Sequence, residues 1–166
     1  MIANNMMSSV NFVIFDFDGV FTDNSVYVDQ NGVESVRCCR SDGQGLARLR
    51  TIGVDMFILS TEVNPVVAAR AKKLHLPLEQ GVDDKQAGVL KACEKFEVDQ
   101  SQTMFVGNDI NDIPALQSVG FPVAVADAYL EILPHVVYQT QRKGGYGAVR
   151  EVCDLIYRAK MASPNR

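Results

Sequence analysis

The chain has only two histidines and only four cysteines in 166 residues, and together these scarcities argue against one class of function. Cys38, Cys39, Cys93 and Cys153 show no C-x-x-C spacing, and with two histidines they make a poor zinc site. Reduced thiols are the expectation. No apolar run approaches the roughly 18 residues that would suggest a membrane span. Met1 to Met7 contain no basic residue and the apolar run that follows is short, so no signal peptide is expected. The protein is therefore expected to be soluble and cytoplasmic. With a net charge of -4, the short clusters Arg70-Lys72-Lys73 and Arg142-Lys143 leave no electrostatic footprint for nucleic acid. Nor does a Ser/Gly-rich linker, a charge block or a repeat divide the chain, so residues 1–166 read as one domain. Residues 1–9 are expected to be poorly ordered.

What the sequence does have is apolar runs alternating with helix-like stretches. Strands are predicted over 10–16, 54–60, 103–107, 122–125 and 135–139, and helices over 43–52, 63–75, 84–96 and 147–160, from apolar spacing. Such alternation predicts an α/β fold with a doubly wound, mainly parallel sheet. One segment breaks the rhythm. Asn31-Gly32 lies between two alternating runs, a strong hairpin signal, so residues 25–39 are predicted to form a small β-hairpin just after the first strand. Ser41 or Asp42 can cap the helix that follows, Gly53 can end it, and Pro114 suits the first turn of another.

Four chemical signals fall at successive strand ends, where open α/β sheets bind ligands. The first strand delivers Asp16-x-Asp18-Gly19. A carboxylate can attack phosphorus, and a second one two residues on can trade a proton with the leaving group. The second strand ends in Ser60-Thr61-Glu62, whose hydroxyls can donate to phosphate oxygens. Lys85 enters a helix and can offset a carboxylate nucleophile plus phosphate. The fourth signal is Gly107-Asn108-Asp109-x-Asn111-Asp112, an oxygen-rich set that suits magnesium.

In this order, Asp16-Phe17-Asp18-Gly19-Val20-Phe21-Thr22-Asp23, Ser60, Lys85 and the Gly107–Asp112 segment resemble the four motifs of the haloacid dehalogenase superfamily of phosphotransferases. Ser41-Asp42-Gly43-Gln44-Gly45-Leu46, Val123–Ala128 and Gly144-Gly145-Tyr146-Gly147 are similar to its capless branch, which includes 3-deoxy-manno-octulosonate 8-phosphate phosphatases. The resemblance implies a Rossmann-like fold without a cap domain. It also implies a magnesium-dependent phosphomonoesterase in which Asp16 is the nucleophile, Asp18 the acid and base, and Ser60 and Lys85 the phosphoryl clamp. Asp16, Asp18, Asn108 and Asp109 are its candidate metal ligands. Members of the branch are tetramers whose neighbouring subunit roofs the site, so a homotetramer is expected.

Two departures bear on substrate and metal. Octulosonate phosphatases usually carry Gly-Arg after the strand-end hydroxyl, whereas Thr61-Glu62, followed by Arg70 and Lys73, is more similar to phosphatases of nine-carbon ulosonates. Thr61, Glu62, Arg70 and Lys73 are thus candidate substrate contacts. The expectation is a nonulosonate 9-phosphate such as a neuraminate, with octulosonate 8-phosphate as the alternative. Asn108 stands where the family usually has its magnesium-binding aspartate and brings no charge to the metal. A second alternative is therefore a weakly active assembly module associated with an acylneuraminate cytidylyltransferase.

Overall fold

The computed structural model describes residues 7–162. In chain order it contains β1 (Phe12–Phe15), β2 (Thr22–Val28), β3 (Glu34–Cys38), α1 (Asp42–Arg50), β4 (Asp55–Leu59), α2 (Pro65–Leu74), β5 (Leu78–Glu79) and α3 (Lys85–Phe96). Then come β6 (Thr103–Gly107), the short α4 (Ile113–Leu116), β7 (Phe121–Ala124), β8 (Tyr138–Gln139) and α5 (Ala148–Ala162). Six strands pair in parallel in the order β5-β4-β1-β6-β7-β8, and β2 and β3 form a separate antiparallel hairpin.

Successive side chains of β1 point to opposite faces, and both faces are covered. Val13 and Phe15 meet Leu46 and Leu49 of α1, Val67 and Ala71 of α2, and Val152 and Ile156 of α5. Phe12 and Ile14 meet Val89 and Ala92 of α3, and Phe12 stacks on Phe96 with ring centres 4.7 Å apart. Two buried faces are why β1 reads as an unbroken apolar run rather than an alternating one. The doubly wound architecture follows. From β1 the chain winds outward through β4 to β5 and, on the other side, through β6 and β7 to β8, so the switch point lies at the carboxyl end of β1.

The structure departs from the predicted elements in a few places. The strand expected over 135–139 shrinks to Tyr138–Gln139, because Leu130–His135 forms a 3-10 helix and Pro134 has no N–H for a ladder. β5 has only two residues, too few for a periodic signal. Residues 1–6 lie outside the described residues. Met7, by contrast, is 5% exposed in the core, and Lys160 Nζ donates to the Ser8 carbonyl, so the chain is held down from residue 7 on.

Neither candidate cap for α1 caps it. Ser41 occupies the N-cap position without a side-chain capping bond, whereas Asp42 turns its carboxylate to the start of α5 and accepts the Arg150 N–H at 3.2 Å. The two helices are close enough that a Cβ on Gly45 would stand 2.9 Å from Cys153 Cβ. Asp42 is fully buried, its Oδ2 has no hydrogen-bond partner, and burial pushes its carboxyl up to about 6 despite the Arg150 N–H. A carboxyl raised in the folded state stabilises it fully below the unfolded value and loses that contribution as pH rises through the folded value. The stability of the wild type relative to Asp42→Asn is thus expected to fall as pH rises from about 4 through about 6. Thermal melts of both proteins across that range test this, and a pH-independent difference would refute it.

Candidate active site

The four sequence signals converge on the switch point. β1 ends at Asp16 and Asp18, β4 at Ser60, and β6 at Asn108, while Lys85 opens α3. Lysine at a helix N-terminus opposes the helix dipole, and this one is 1% exposed, so it needs compensation. It has two carboxylates: Lys85 Nζ lies 2.9 Å from Asp16 Oδ1 and 2.6 Å from Asp112 Oδ1. Burial pulls the ammonium down, but Asp16 and Asp112 together outweigh it and hold Lys85 above its ordinary value. Burial and the Asp112 charge push Asp16 up to about 7, against the pull of Lys85.

Asp112 belongs to the quoted motif but not to the candidate list. It is fully buried, and its Oδ2 accepts the backbone N–H of Asn108 at 2.8 Å and of Asp109 at 3.2 Å. It therefore shapes the turn after β6 as well as pairing with Lys85. It stands three residues after Asp109, the N-cap of the 3-10 turn Ile110–Asp112, and this capping-box spacing was the available signal.

Asn108 Oδ1 stands 2.9 Å from the Asp18 carbonyl oxygen and 3.3 Å from Asp16 Oδ2. Three acceptors facing one another need a cation or a proton donor between them. With metal–oxygen distances of 2.0–2.1 Å, adjacent ligands of a magnesium octahedron lie about 2.9 Å apart, so this donor set fits the ion. If the amide turns over, its NH2 donates to the same two oxygens. Gly19 makes the approach possible: at φ +79° it has no Cβ, and one would lie 2.1 Å from Asn108 Nδ2. No group of three His, Cys, Asp or Glu among the described residues is arranged to hold a metal, because this set uses a peptide oxygen and an amide.

The structure brings some of the candidates together and engages others elsewhere. Of Asp18, it is the backbone carbonyl oxygen that faces Asn108 Oδ1, at 2.9 Å. Asp109 is turned onto its own turn, where Oδ1 caps the Ile110 N–H at 2.7 Å. Arg70 Nη2 donates to the Cys39 carbonyl and so ties α2 to the end of the hairpin rather than reaching Asp16. Lys73 is exposed in the last turn of α2, about 12 Å along the axis from Pro65 at 1.5 Å per residue. The ion pairs of the strand-end carboxylates Asp16 and Asp112 are made by Lys85 instead. Asp127 Oδ1 accepts the Gly144 N–H at 2.9 Å.

Ser60 is where it was expected: 1% exposed, its Oγ accepts the Glu62 N–H at 3.1 Å and leaves the hydroxyl hydrogen for another oxygen. Thr61 lies beside it, half-buried. Glu62 Oε1 accepts the N–H groups of Val63 and Asn64 at 2.7 and 2.8 Å. Burial first and the Glu62 charge second hold the Asp18 carboxyl above the ordinary aspartate range. Next to Asp18 lies a cavity of about 80 Å³ lined by Asn24, Val26, Glu34, Glu62 and Asn64, among others. A larger one, about 520 Å³, is lined by Tyr138, Arg142, Glu151 and Arg158 and contains none of the strand-end set.

Comparison with known proteins agrees with this geometry. Residues 62–151 match the haloacid dehalogenase-like hydrolase family. The chain is 36% identical over 154 residues to the 3-deoxy-D-manno-octulosonate 8-phosphate phosphatase of Yersinia pestis, covering 92% of this chain and 82% of that protein. It superposes with a TM-score of 0.91 on the Moraxella catarrhalis phosphatase of the same name in complex with magnesium, phosphate and KDO, at 29% identity, covering 96% and 92% of the two chains. The cobalt-bound Haemophilus influenzae enzyme gives 0.90 at 30% identity, covering 94% and 92%. These relatives favour the eight-carbon alternative over the nine-carbon expectation.

Asn108→Asp restores a charged ligand and is expected to tighten magnesium binding about tenfold or more, since ligand charge tunes affinity. Asp109→Asn is expected to leave it unchanged within about twofold. Calorimetric titration of the two variants and the wild type checks both, and weakened binding in Asp109→Asn would count against the assignment.

Proposed function

Since the chain belongs to the haloacid dehalogenase-like hydrolases and is a phosphoric monoester hydrolase, we propose that it removes the terminal phosphate of a 3-deoxy-2-ulosonate sugar acid, 3-deoxy-D-manno-octulosonate 8-phosphate first. The observation that carries this reading is the convergence of Asp16, Asp18, Asn108 and Lys85 at one strand-end crevice. When bound there by Asp16, Asp18 and Asn108, magnesium would neutralise phosphate charge. Asp16 Oδ2 faces Asn108 and Oδ1 faces Lys85, which leaves Oδ1 to attack phosphorus. As the Asp16–phosphorus bond forms, the bond to the sugar oxygen breaks and Asp18 gives that oxygen its proton. Asp18, now a carboxylate, takes a proton from the water that attacks the aspartyl-phosphate, releasing phosphate and restoring both acids. The raised Asp18 suits this first step, because it favours the protonated form. Ser60 and Lys85 hold the phosphoryl oxygens.

A sugar acid does not fit the 80 Å³ cavity and must lie mostly outside it. The hairpin exposes Val26, Tyr27, Val28 and Val33 by 53 to 63%, a cluster of apolar side chains that suits burial against other copies. A homotetramer in which a neighbour completes the substrate site accounts for both features. Light scattering is expected to give four chain masses, and Val28→Lys to give smaller species with at least about tenfold weaker KM. A fully active Val28→Lys monomer would rule this assembly out.

The nine-carbon reading retains one observation. Glu62 lies close enough to Asp18 to raise it and has Oε2 free for sugar hydroxyls. The decisive measurement compares kcat/KM with magnesium on octulosonate 8-phosphate and on neuraminate 9-phosphate. Faster turnover of the octulosonate is expected, and the reverse order would reinstate the nine-carbon substrate. Asp16→Asn is expected to abolish turnover of both, and surviving activity would exclude the aspartyl-phosphate route.

A further inference from the structure

Proton delivery by Asp18 requires the proton to sit on the oxygen that meets the leaving group. We propose that Thr22 is a positioning residue that confines the transferable proton of Asp18 to Oδ2. This rests on the reading of Asp18 as the acid. Thr22 is fully buried at the start of β2, and its Oγ1 accepts two backbone N–H groups, from Gly19 at 3.1 Å and from Asn24 at 3.2 Å. A hydroxyl has two lone pairs and one hydrogen. With both lone pairs taken, only the hydrogen remains, and it points to Asp18 Oδ1 at 3.4 Å. A proton on Oδ1 would then face a hydrogen with no lone pair to accept it, so Oδ2 is the oxygen left to carry it. At 3.4 Å the contact is long, as catalytic hydrogen bonds often are before substrate tightens them.

The backbone around Thr22 is built to hold this hydroxyl. The β2–β3 register shifts between Thr22 and Val26, and Asn24 adopts φ +63°, which turns its N–H back onto Thr22 Oγ1. Bulges of this kind re-aim side chains beside active sites. From outside, the Gly145 N–H donates to the Val20 carbonyl, and Arg37 Nη1 donates to the Gly145 carbonyl at 2.9 Å while stacking on Tyr146. The same guanidinium lies 3.8 Å from Asp23 Oδ2. The Gly144-Gly145-Tyr146 segment, which the reaction does not otherwise use, thus straps the turn that carries Thr22.

The test turns on the leaving group. A sugar alkoxide needs the proton to depart, whereas 4-nitrophenolate leaves without one. Single-turnover rates of the full-length magnesium-loaded protein are compared on octulosonate 8-phosphate and 4-nitrophenyl phosphate. Thr22→Val is expected to slow the sugar ester about 10- to 100-fold and the nitrophenyl ester less than about threefold, the share of rate that a general acid supplies. Thr22→Ser, which keeps the hydroxyl, is expected to stay near wild type on both. Equal losses on the two esters, no loss on either, or a Thr22→Ser as slow as Thr22→Val would overturn the proposal. Thr22→Ala replaces the valine variant should that not fold. A wild type that hydrolyses neither ester would instead sink the phosphatase reading itself, so the two failures are distinguishable.

Discussion

The ion triad Asp16–Lys85–Asp112 is the constraint on which the rest of the site depends. One ammonium, almost wholly buried, serves two carboxylates at 2.9 and 2.6 Å, and the three groups come from the ends of β1 and β6 and the start of α3. Burying charge is costly even when paired, and removing a single partner from such a set typically costs about 3–5 kcal/mol. The triad is therefore weak as a source of stability and strong as a constraint on position. It fixes Asp16 Oδ1, and so Oδ2 is directed to Asn108. It leaves one negative charge uncompensated among the three, which favours a cation nearby.

Geometry around the triad explains why the sequence was legible where it was. β1, β4 and β6 are central strands buried on both faces, so their apolar runs and the polar residues that end them stand out. The edge elements do not: β5 and β8 have two residues each, and their pairing depends on neighbours that a local pattern does not contain. The same distinction runs through the site. Asp16, Asp18, Ser60 and Lys85 were legible because each follows a strand or opens a helix. The choice between Asp109 and Asp112 was not, since both lie on one turn and only the fold decides which faces Lys85. Arg70 and Lys73 stand apart for a different reason. Sequence proximity to Glu62 suggested a shared site, but α2 carries them away from its own N-terminus, and Arg70 is spent on the Cys39 carbonyl.

The hairpin couples two levels of the structure. Its base carries Thr22 and Asn24 into contact with the acid loop, while its far end exposes valines and a tyrosine. Any contact that orders the far end therefore acts on a segment whose root touches Asp18. Arg37 strengthens that link, since it belongs to β3 and grips both Asp23 and the Gly145 carbonyl. A protruding hairpin too small to cover the crevice can still influence the chemistry beneath it through its root.

Asn108 shows what exchanging a carboxylate for an amide does to such a site. An aspartate there would place a further charge beside Asp16 and the Asp18 carbonyl, and a cation or a proton would have to relieve the repulsion. The amide has two ways to satisfy the same oxygens, carbonyl toward a cation or NH2 toward the acceptors, at the same 2.9 and 3.3 Å separations. It trades attraction for the ion against tolerance of its loss. Asp112 braces its backbone and Gly19 makes room for its side chain. In either orientation of the amide, Lys85 pairs with Asp16 Oδ1 and Thr22 Oγ1 touches Asp18 Oδ1.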